Sequence, residues 1–479
     1  MKPSEREFFT TVREAIFANP FGPKRVELDR SAARMPENAA LAEILDRLVA
    51  KVGGTIAAVE QRDGGRALGR DDLELLKFGK LFYIFHLFCD RYDEHIRTQI
   101  KSGEECCRLN FGRDVMSMLH NSGIPEVDIV RFVSLFFQMR RAYYFISRIA
   151  GKSDCVMELR RTLWNNVFTG DIRLYDRYLW DRMEDFSTMI LGETGTGKGM
   201  AAAAIGRSGY IPYNDKTHTF SESFAKTFVS INLSQFPEQL IESELFGHKK
   251  GAFTGAVENH HGIFARCSPC GAIFIDEIGD VAVPVQIKLL QVLQERSFSP
   301  VGSHRQEKFS GRVIAATNKN LETLLKTGEF REDFYYRLCS DVIEVPPLRQ
   351  RLAENPEELR ELLDVVVRRI TGEESDELIE KTYDYILRHQ PENYQWTGNI
   401  RELEQCVRRF LLKNSYDWQQ AHPADNRAGV TLNNKLTAQQ LLAQYSAYLY
   451  RQHGTYEEVA RIMDLDRRTV RKYIQSQGS

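Results

Sequence analysis

Apolar positions in the first 165 residues recur at the spacing of helical faces. Leu41, Ile44, Leu45 and Leu48 form one stripe, which the pair Gly53-Gly54 is expected to break. Phe78, Leu81, Phe82, Phe85 and Phe88 form a second, and Ile129, Phe132, Val133, Phe136 and Phe137 a third. Aromatic stripes of this kind read as the packed core of a helical bundle rather than as a ligand pocket. Strands do not alternate with helices here, which argues against a phosphoacceptor receiver domain.

From about Asp185 the texture changes. Thr188-Met189-Ile190-Leu191, Phe228-Val229-Ser230-Ile231, Ala272-Ile273-Phe274-Ile275 and Arg312-Val313-Ile314-Ala315-Ala316 are short apolar runs set between helical segments. Buried parallel strands joined by crossover helices have this pattern. Residues 351–415 return to helical periodicity. The polar stretch Ala421 to Asn434, with Pro423 and Gly429, reads as a linker, placed at 416–435. Residues 436–479 form a last small helical unit. The expectation is thus a helical domain over 1–165, an α/β subdomain over 166–350 and a helical subdomain over 351–415, followed by the linker and the C-terminal unit.

The chain has 479 residues, 42% hydrophobic and 27% charged, which is ample for several packed domains. A net charge of -2 excludes a polyanion binder at the level of the whole chain, so any nucleic-acid contact has to come from a local basic face. Eight cysteines are too sparse for a disulfide framework. Met1 to Arg6 is polar and leads into no apolar signal core, and no run reaches the roughly 18 apolar residues of a membrane span. A cytoplasmic setting without membrane contact is expected. Cys267-Ser268-Pro269-Cys270 lacks a second ligand pair and reads as a turn rather than half of a zinc site.

Gly192-Glu193-Thr194-Gly195-Thr196-Gly197-Lys198 follows the strand ending at Leu191 and opens onto an alanine-rich helical stretch starting at Met200. Glycines let backbone N–H groups curl round phosphate oxygens, Lys198 brings charge to the β- and γ-phosphates, and the helix N-terminus adds its dipole. Position 199 is Gly where many such loops carry a magnesium-binding hydroxyl. Metal binding then leans on water and on the acidic pair Asp276-Glu277 that ends a later strand, with Asp276 placed for magnesium and Glu277 for the attacking water.

Between these motifs, Gly251-Ala252-Phe253-Thr254-Gly255-Ala256 follows Glu242-Ser243-Glu244-Leu245-Phe246-Gly247-His248-Lys249-Lys250. This segment closely resembles the signature loop of sigma-54-dependent activators, a branch of the AAA+ ATPases. Gly251 and Gly255 free a tight loop, and Phe253 would be an apolar tip that touches a partner. The resemblance spans about Asp185 to Lys413. It implies an AAA+ P-loop ATPase with parallel sheet and helical lid, and ATP with Mg2+ as cofactors, to which the helical residues 1–165 would add an N-terminal regulatory domain. Asn232 is similar to the switch asparagine that restrains the catalytic glutamate, and Asn318 to the γ-phosphate sensor. Arg331 and Arg337 resemble fingers reaching a neighbouring subunit's nucleotide, and Arg401 a second sensor on the lid. Gly192, Glu193, Thr194, Gly195, Thr196, Gly197, Lys198 and Gly199 would cradle the nucleotide. Gly199 departs from the family's usual Glu, and residues 1–165 match no regulatory domain of the family. Fingers acting in trans imply a homo-oligomer, from dimer to hexamer. The loop implies sigma-54 RNA polymerase holoenzyme as partner.

At the C-terminus, Leu436 to Gln452 reads as a helix ended by Gly454, and Tyr456 to Met463 as a second with Val459, Ala460 and Ile462 inward. Asp466 would cap a third from Arg467 to Gln475, basic on one face through Arg467, Arg468, Arg471 and Lys472, with Val470 and Ile474 behind. The pattern resembles the Fis-type helix-turn-helix and implies double-stranded DNA, an upstream activating site, as a further partner. Which of the basic residues meets bases and which meets phosphates stays open. A protein-unfolding AAA+ machine would carry neither this DNA reader nor the Phe253 loop.

Overall fold

The computed structural model describes residues 1–63, 68–418 and 438–475. It divides into two compact units, Met1–Leu411 and Leu412–Ser479. Most of the expected linker, 416–435, lies outside the described residues, as do Leu436 and residues 476–479.

The first unit opens with eight helices: α1 (Pro3–Phe17), α2 (Pro23–Ala33), α3 (Leu41–Asp63), α4 (Arg70–Leu87), α5 (Cys89–Ser102), α6 (Gly112–Asn121), α7 (Glu126–Ser147) and α8 (Asp154–Phe168). The break expected at Gly53-Gly54 does not occur. Helix α3 runs through both residues, because Leu48, Val52, Ile56 and Val59 on either side are buried in one cluster with Phe9 and Leu76. Burying that stripe outweighs the roughly 1 kcal/mol that each mid-helix glycine costs. Gly53 has a packing use as well: a Cβ there would lie 2.6 Å from the Tyr83 ring, so the missing side chain lets α4 approach α3.

The five-stranded parallel sheet consists of β1 (Thr188–Leu191), β2 (Phe228–Asn232), β3 (Ala272–Asp276), β4 (Arg312–Thr317) and β5 (Asp341–Glu344), in the spatial order β2-β3-β4-β1-β5. The predicted strands are therefore all present, and the central β4 is buried at all six positions. Alternation assigns the residues to two faces. Met189, Ile231, Ile273, Ile275, Val313 and Ala315 pack with α10 (Glu238–Phe246), α11 (Val283–Glu295) and Phe334. Ile190, Phe274, Ile314, Ala316 and Ile343 pack with α9 (Lys198–Gly206), which starts two positions before Met200, and with Ala142, Ile146, Leu163 and Trp164 of α7 and α8. Helix α8 crosses residue 165, where a domain boundary was expected, and covers the sheet.

A small hairpin, Tyr213–Asn214 with Thr219–Phe220, follows α9 and was not read from the sequence. Tyr213 and Phe220 sit in the same cluster as Tyr92, Val133 and Phe137 of the N-terminal helices. Helices α12 (Leu321–Thr327) and α13 (Glu332–Leu338) come before β5. The helical subdomain then begins at Leu348 rather than at residue 351, with α14 (Leu348–Glu354), α15 (Glu358–Thr371), α16 (Asp376–His389) and α17 (Asn399–Lys413).

The second unit holds α18 (Ala438–His453), α19 (Tyr456–Met463) and α20 (Arg467–Gln475) around Leu449, Val459 and Val470. Gly454, at φ 71°, ends α18, and the Asp466 carboxylate accepts the Arg468 amide at 2.7 Å as an N-cap. Ile462 does not face inward as expected. It is exposed, because Tyr456, Val459, Ala460 and Met463 already fill the i, i+3, i+4, i+7 stripe.

Candidate nucleotide site and partner-facing loop

The β1–α9 turn is the loop predicted to hold phosphate. Gly195 and Gly197 have φ of 82° and 106°, which side chains tolerate poorly. Gly195 also faces Gly398 across a gap that a Cβ would overrun. Lys198 is buried, and its Nζ donates to the carbonyls of Gly192 (2.8 Å) and Glu193 (3.2 Å). Burial pushes the Lys198 ammonium below its ordinary range, while Glu277 and Asp276 pull it back up and Arg401 adds to the fall.

Strands β2 and β3 pair with Asn232 opposite Asp276, which explains the first departure from expectation. Asn232 Nδ2 donates to Asp276 Oδ2 at 3.1 Å, not to Glu277. Glu277 lies one residue beyond the strand in left-handed backbone, φ 58°. Its Oε2 is buried and has no hydrogen-bond partner. Burial raises the Glu277 carboxyl above the usual range, neighbouring Asp276 adds to the shift, and Lys198 opposes it. A cation, a carboxylate pair and an unbonded buried oxygen thus converge at the end of β3, and such groups cluster where charged substrate is handled.

These residues fit a nucleotide with magnesium. Asp276 keeps acceptor capacity beyond its bonds to Asn232 and to the Glu277 amide (3.1 Å). Magnesium commonly takes one or two protein carboxylates and completes its shell with water and phosphate. A Cβ at Gly199 would stand 3.8 Å from the Phe274 ring, so a side chain has room there, but no hydroxyl is supplied. Asn318 Nδ2 bonds Thr194 Oγ1 at 2.8 Å, joining the end of β4 to the phosphate loop. Thr196 Oγ1 donates to the Glu193 carbonyl at 2.9 Å.

Sequence reasoning missed the way the lid meets this loop. Glu193, expected among the phosphate contacts, sends its carboxylate to Arg349 Nη1 (2.8 Å) and Nη2 (2.5 Å). Asn399 is fully buried in left-handed backbone, φ 51°. It donates to Glu193 Oε2 and to the Thr194 carbonyl, both at 3.1 Å, and accepts the Leu348 amide at 2.7 Å. Arg401 follows on the same helix, with its Cβ 3.1 Å from where a Gly195 Cβ would stand. The available signal was the pair Gly398-Asn399, since Asn is the side chain that best tolerates left-handed backbone at a helix start.

The other predicted residues lie apart. Arg331 pairs with Asp333 (2.9 and 2.7 Å), and Arg337 donates twice to the Leu293 carbonyl near the end of α11 (3.0 and 2.7 Å). Neither bonds the phosphate loop of its own chain. Residues Gly251 to Ala256 form an excursion closed at its base by reciprocal bonds between His248 and His260 (3.0 and 2.9 Å). Gly251 and Gly255 have φ of 81° and 101°. Phe253 is 37% exposed and packs edge-on against the His248 ring at 4.9 Å, a contact worth about 1 kcal/mol. Ala252 rests against Gly302, Ala256 is buried, and Thr254 is exposed.

Cys267 to Cys270 turns back before β3 through the Gly271 amide on the Ser268 carbonyl (2.9 Å), and no cluster of three metal-ligating side chains occurs among the described residues. In the second unit Arg467, Arg468, Arg471 and Lys472 are exposed while Val470 is buried, and Arg467 pairs with Glu457 at 2.6 Å. Among the described residues no helix is long and apolar enough to cross a membrane.

Residues 178–344 match the family model described as the sigma-54 interaction domain. The regulator NtrC of Azospirillum brasilense is 40% identical over 233 residues, covering 49% of this chain and 44% of that protein. The Nif-specific regulatory protein of Azotobacter vinelandii is 40% identical over 240 residues, covering 50% and 42%. The chain therefore spans less than half the length of these relatives. Among solved structures, NtrX of Brucella abortus in complex with ADP aligns at a TM-score of 0.41 and 19% identity, covering 76% of this chain and 81% of that one.

Proposed function

This chain belongs to the sigma-54-dependent activators through its AAA+ sigma-54 interaction domain, and on that premise we propose that it hydrolyses ATP to remodel a sigma-54 RNA polymerase complex from closed to open. The observation that carries the reading is the joint presence, in one domain, of the phosphate loop facing Asp276-Glu277 and of the exposed Phe253 excursion.

Lys198 leaves its two loop carbonyls to neutralise the β- and γ-phosphates. Asp276 would hold magnesium, which would supply positive charge against that building up on the transferred phosphoryl group. Glu277, ionised, takes a proton from the attacking water, and its unbonded Oε2 is the atom free to do so. Asn232 fixes the Asp276 carboxylate in position. Asn318 trades Thr194 for the γ-phosphate, and Arg401 faces the nucleotide from the lid. Arg331 and Arg337 exchange their intrachain partners for the nucleotide of a neighbouring subunit in a ring, expected to be a hexamer. Such fingers are worth roughly three to five orders of magnitude in rate. The Phe253 ring leaves His248 as the loop rises towards sigma-54. The basic face of α20 tethers the assembly to upstream DNA, residues 1–165 regulate it, and the protein works in the cytoplasm.

Phe253→Ala and Thr254→Ala are expected to keep ATP hydrolysis within about twofold of the parent and to abolish open-complex formation in transcription with purified sigma-54 polymerase. Normal opening by either variant would remove the loop from the mechanism.

A further inference from the structure

The structure assigns Glu193 a role other than phosphate contact: we infer that its carboxylate, with Arg349 and Asn399, is a positioning latch that joins the phosphate loop to both entrances of the lid and transmits nucleotide occupancy to it. The inference rests on the proposed ATP site and specifies how that site is set.

Three features place the latch. Arg349 lies in the first turn of α14 and Asn399 is the first residue of α17, so one carboxylate gathers the two ends of the lid that face the core. Asn399 adds a backbone link, taking the Thr194 carbonyl and the Leu348 amide, while the Ile400 amide donates to the Gly195 carbonyl at 3.1 Å. Glu193 also accepts Lys198 Nζ on its own carbonyl. When Lys198 turns to phosphate it releases the peptide whose side chain holds the lid. Residue 193 is thereby connected to the phosphates through its backbone and to the lid through its carboxylate.

The side chains are not deeply buried: Arg349 is 37% exposed and Glu193 41%. An ion pair of this exposure adds little to overall stability, and salt weakens it. Its effect is therefore on geometry. It holds α14 to the loop, and the same carboxylate accepts Asn399 at the start of α17, the helix whose Arg401 stands beside Gly195. The Arg349 guanidinium holds the Glu193 carboxyl below the usual range, so the latch is charged at neutral pH.

The test uses the full chain and a fluorescent ATP analogue with Mg2+, with hydrolysis followed in parallel. Glu193→Gln and Arg349→Gln are each expected to weaken nucleotide binding about five- to tenfold, with kcat within about twofold and the melting temperature nearly unchanged. The double variant should be no worse than either single one, because the two changes remove one shared interaction. The gap between parent and Glu193→Gln should narrow between about 0.1 and 1 M salt, since an exposed ion pair is screened over that range and a packing defect is not. Lys198→Ala is the control. If it loses binding while Glu193→Gln and Arg349→Gln bind like the parent, or if the double variant is additive, the latch is wrong and the nucleotide site stands. If Lys198→Ala itself binds like the parent, the nucleotide site falls. Should Glu193→Gln fold poorly, Arg349→Gln alone carries the same comparison.

Discussion

Glu277 combines two unfavourable features. Its backbone is left-handed at φ 58°, and one carboxylate oxygen is buried without a partner. Each costs of order 1 kcal/mol, and such costs persist where a fixed geometry serves chemistry. The raised pKa sets the sign of the pH effects. Over the interval between the unfolded and folded pKa values the folded chain holds the extra proton, so stability falls as pH rises through that interval. Glu277→Gln removes the charge that is penalised. It should melt slightly above the parent near pH 8, with the gap closing at acid pH, while hydrolysis drops by roughly two to four orders of magnitude. In the parent, hydrolysis should decline with falling pH at values above those of an ordinary glutamate. Calorimetry and a pH–rate profile check both, and a variant that melts below the parent at pH 8 would show that the carboxylate is structurally satisfied.

Among the elements, glycine had two opposite uses inside helices, which a linear reading could not separate. Gly54 has open space around its would-be Cβ, whereas a Cβ at Gly79 would run into the ring of fully buried Phe9. Gly54→Ala should therefore stabilise the protein by about 0.5–1 kcal/mol, and Gly79→Ala should destabilise it by about 1–2 kcal/mol despite the same gain in helix propensity. Denaturant midpoints of the two variants moving in the same direction would contradict this account. The same limit explains what the sequence revealed. Strands β1, β3 and β4 were legible because parallel strands buried on both faces are continuous apolar runs, and the glycine turn before α9 because its glycines and Lys198 lie close together in the sequence. The two-residue strands of the Tyr213–Phe220 hairpin are too short to show a period. Arg349 and Asn399 are brought to Glu193 only by the fold, so no local spacing announces them. Asp276, rather than Glu277, receives Asn232 because of strand register, which a motif does not encode.

For the first unit as a whole, the issue is whether the N-terminal helices can be detached from the ATPase-like core, and the packing argues that they cannot. Helices α7 and α8 cover one face of the sheet within a single hydrophobic cluster. Arg141 of α7 is fully buried and donates to the carbonyls of Arg207 (2.8 Å) and Gly209 (2.6 Å) at the C-terminal end of α9, and Gln138 donates to the Ser208 carbonyl at 2.9 Å. These bonds satisfy carbonyls of the turn that follows α9, and they place a cation at the favourable end of that helix. Across the α7–α8 turn the lid is fastened as well: buried Glu358 pairs with Arg351 and accepts the amides of Lys152 (2.9 Å) and Ser153 (2.7 Å), while Arg351 donates to the Ala150 carbonyl at 2.6 Å. A cut at residue 165 falls inside α8. It would bare the cluster around Ile190, Ile205 and Ile314, strand the buried charge of Glu358 beside a single partner, and leave the end of α9 open. Broken buried ion-pair networks and exposed core each cost several kcal/mol, comparable to the whole stability of a domain. A version lacking residues 1–165 is thus expected to bind a hydrophobic dye strongly, to lose cooperative melting and to hydrolyse no ATP, whichever sign the regulation by this region has. If that version instead melts cooperatively and hydrolyses ATP at the parental rate or faster, α7 and α8 are a dispensable cover rather than part of the catalytic unit.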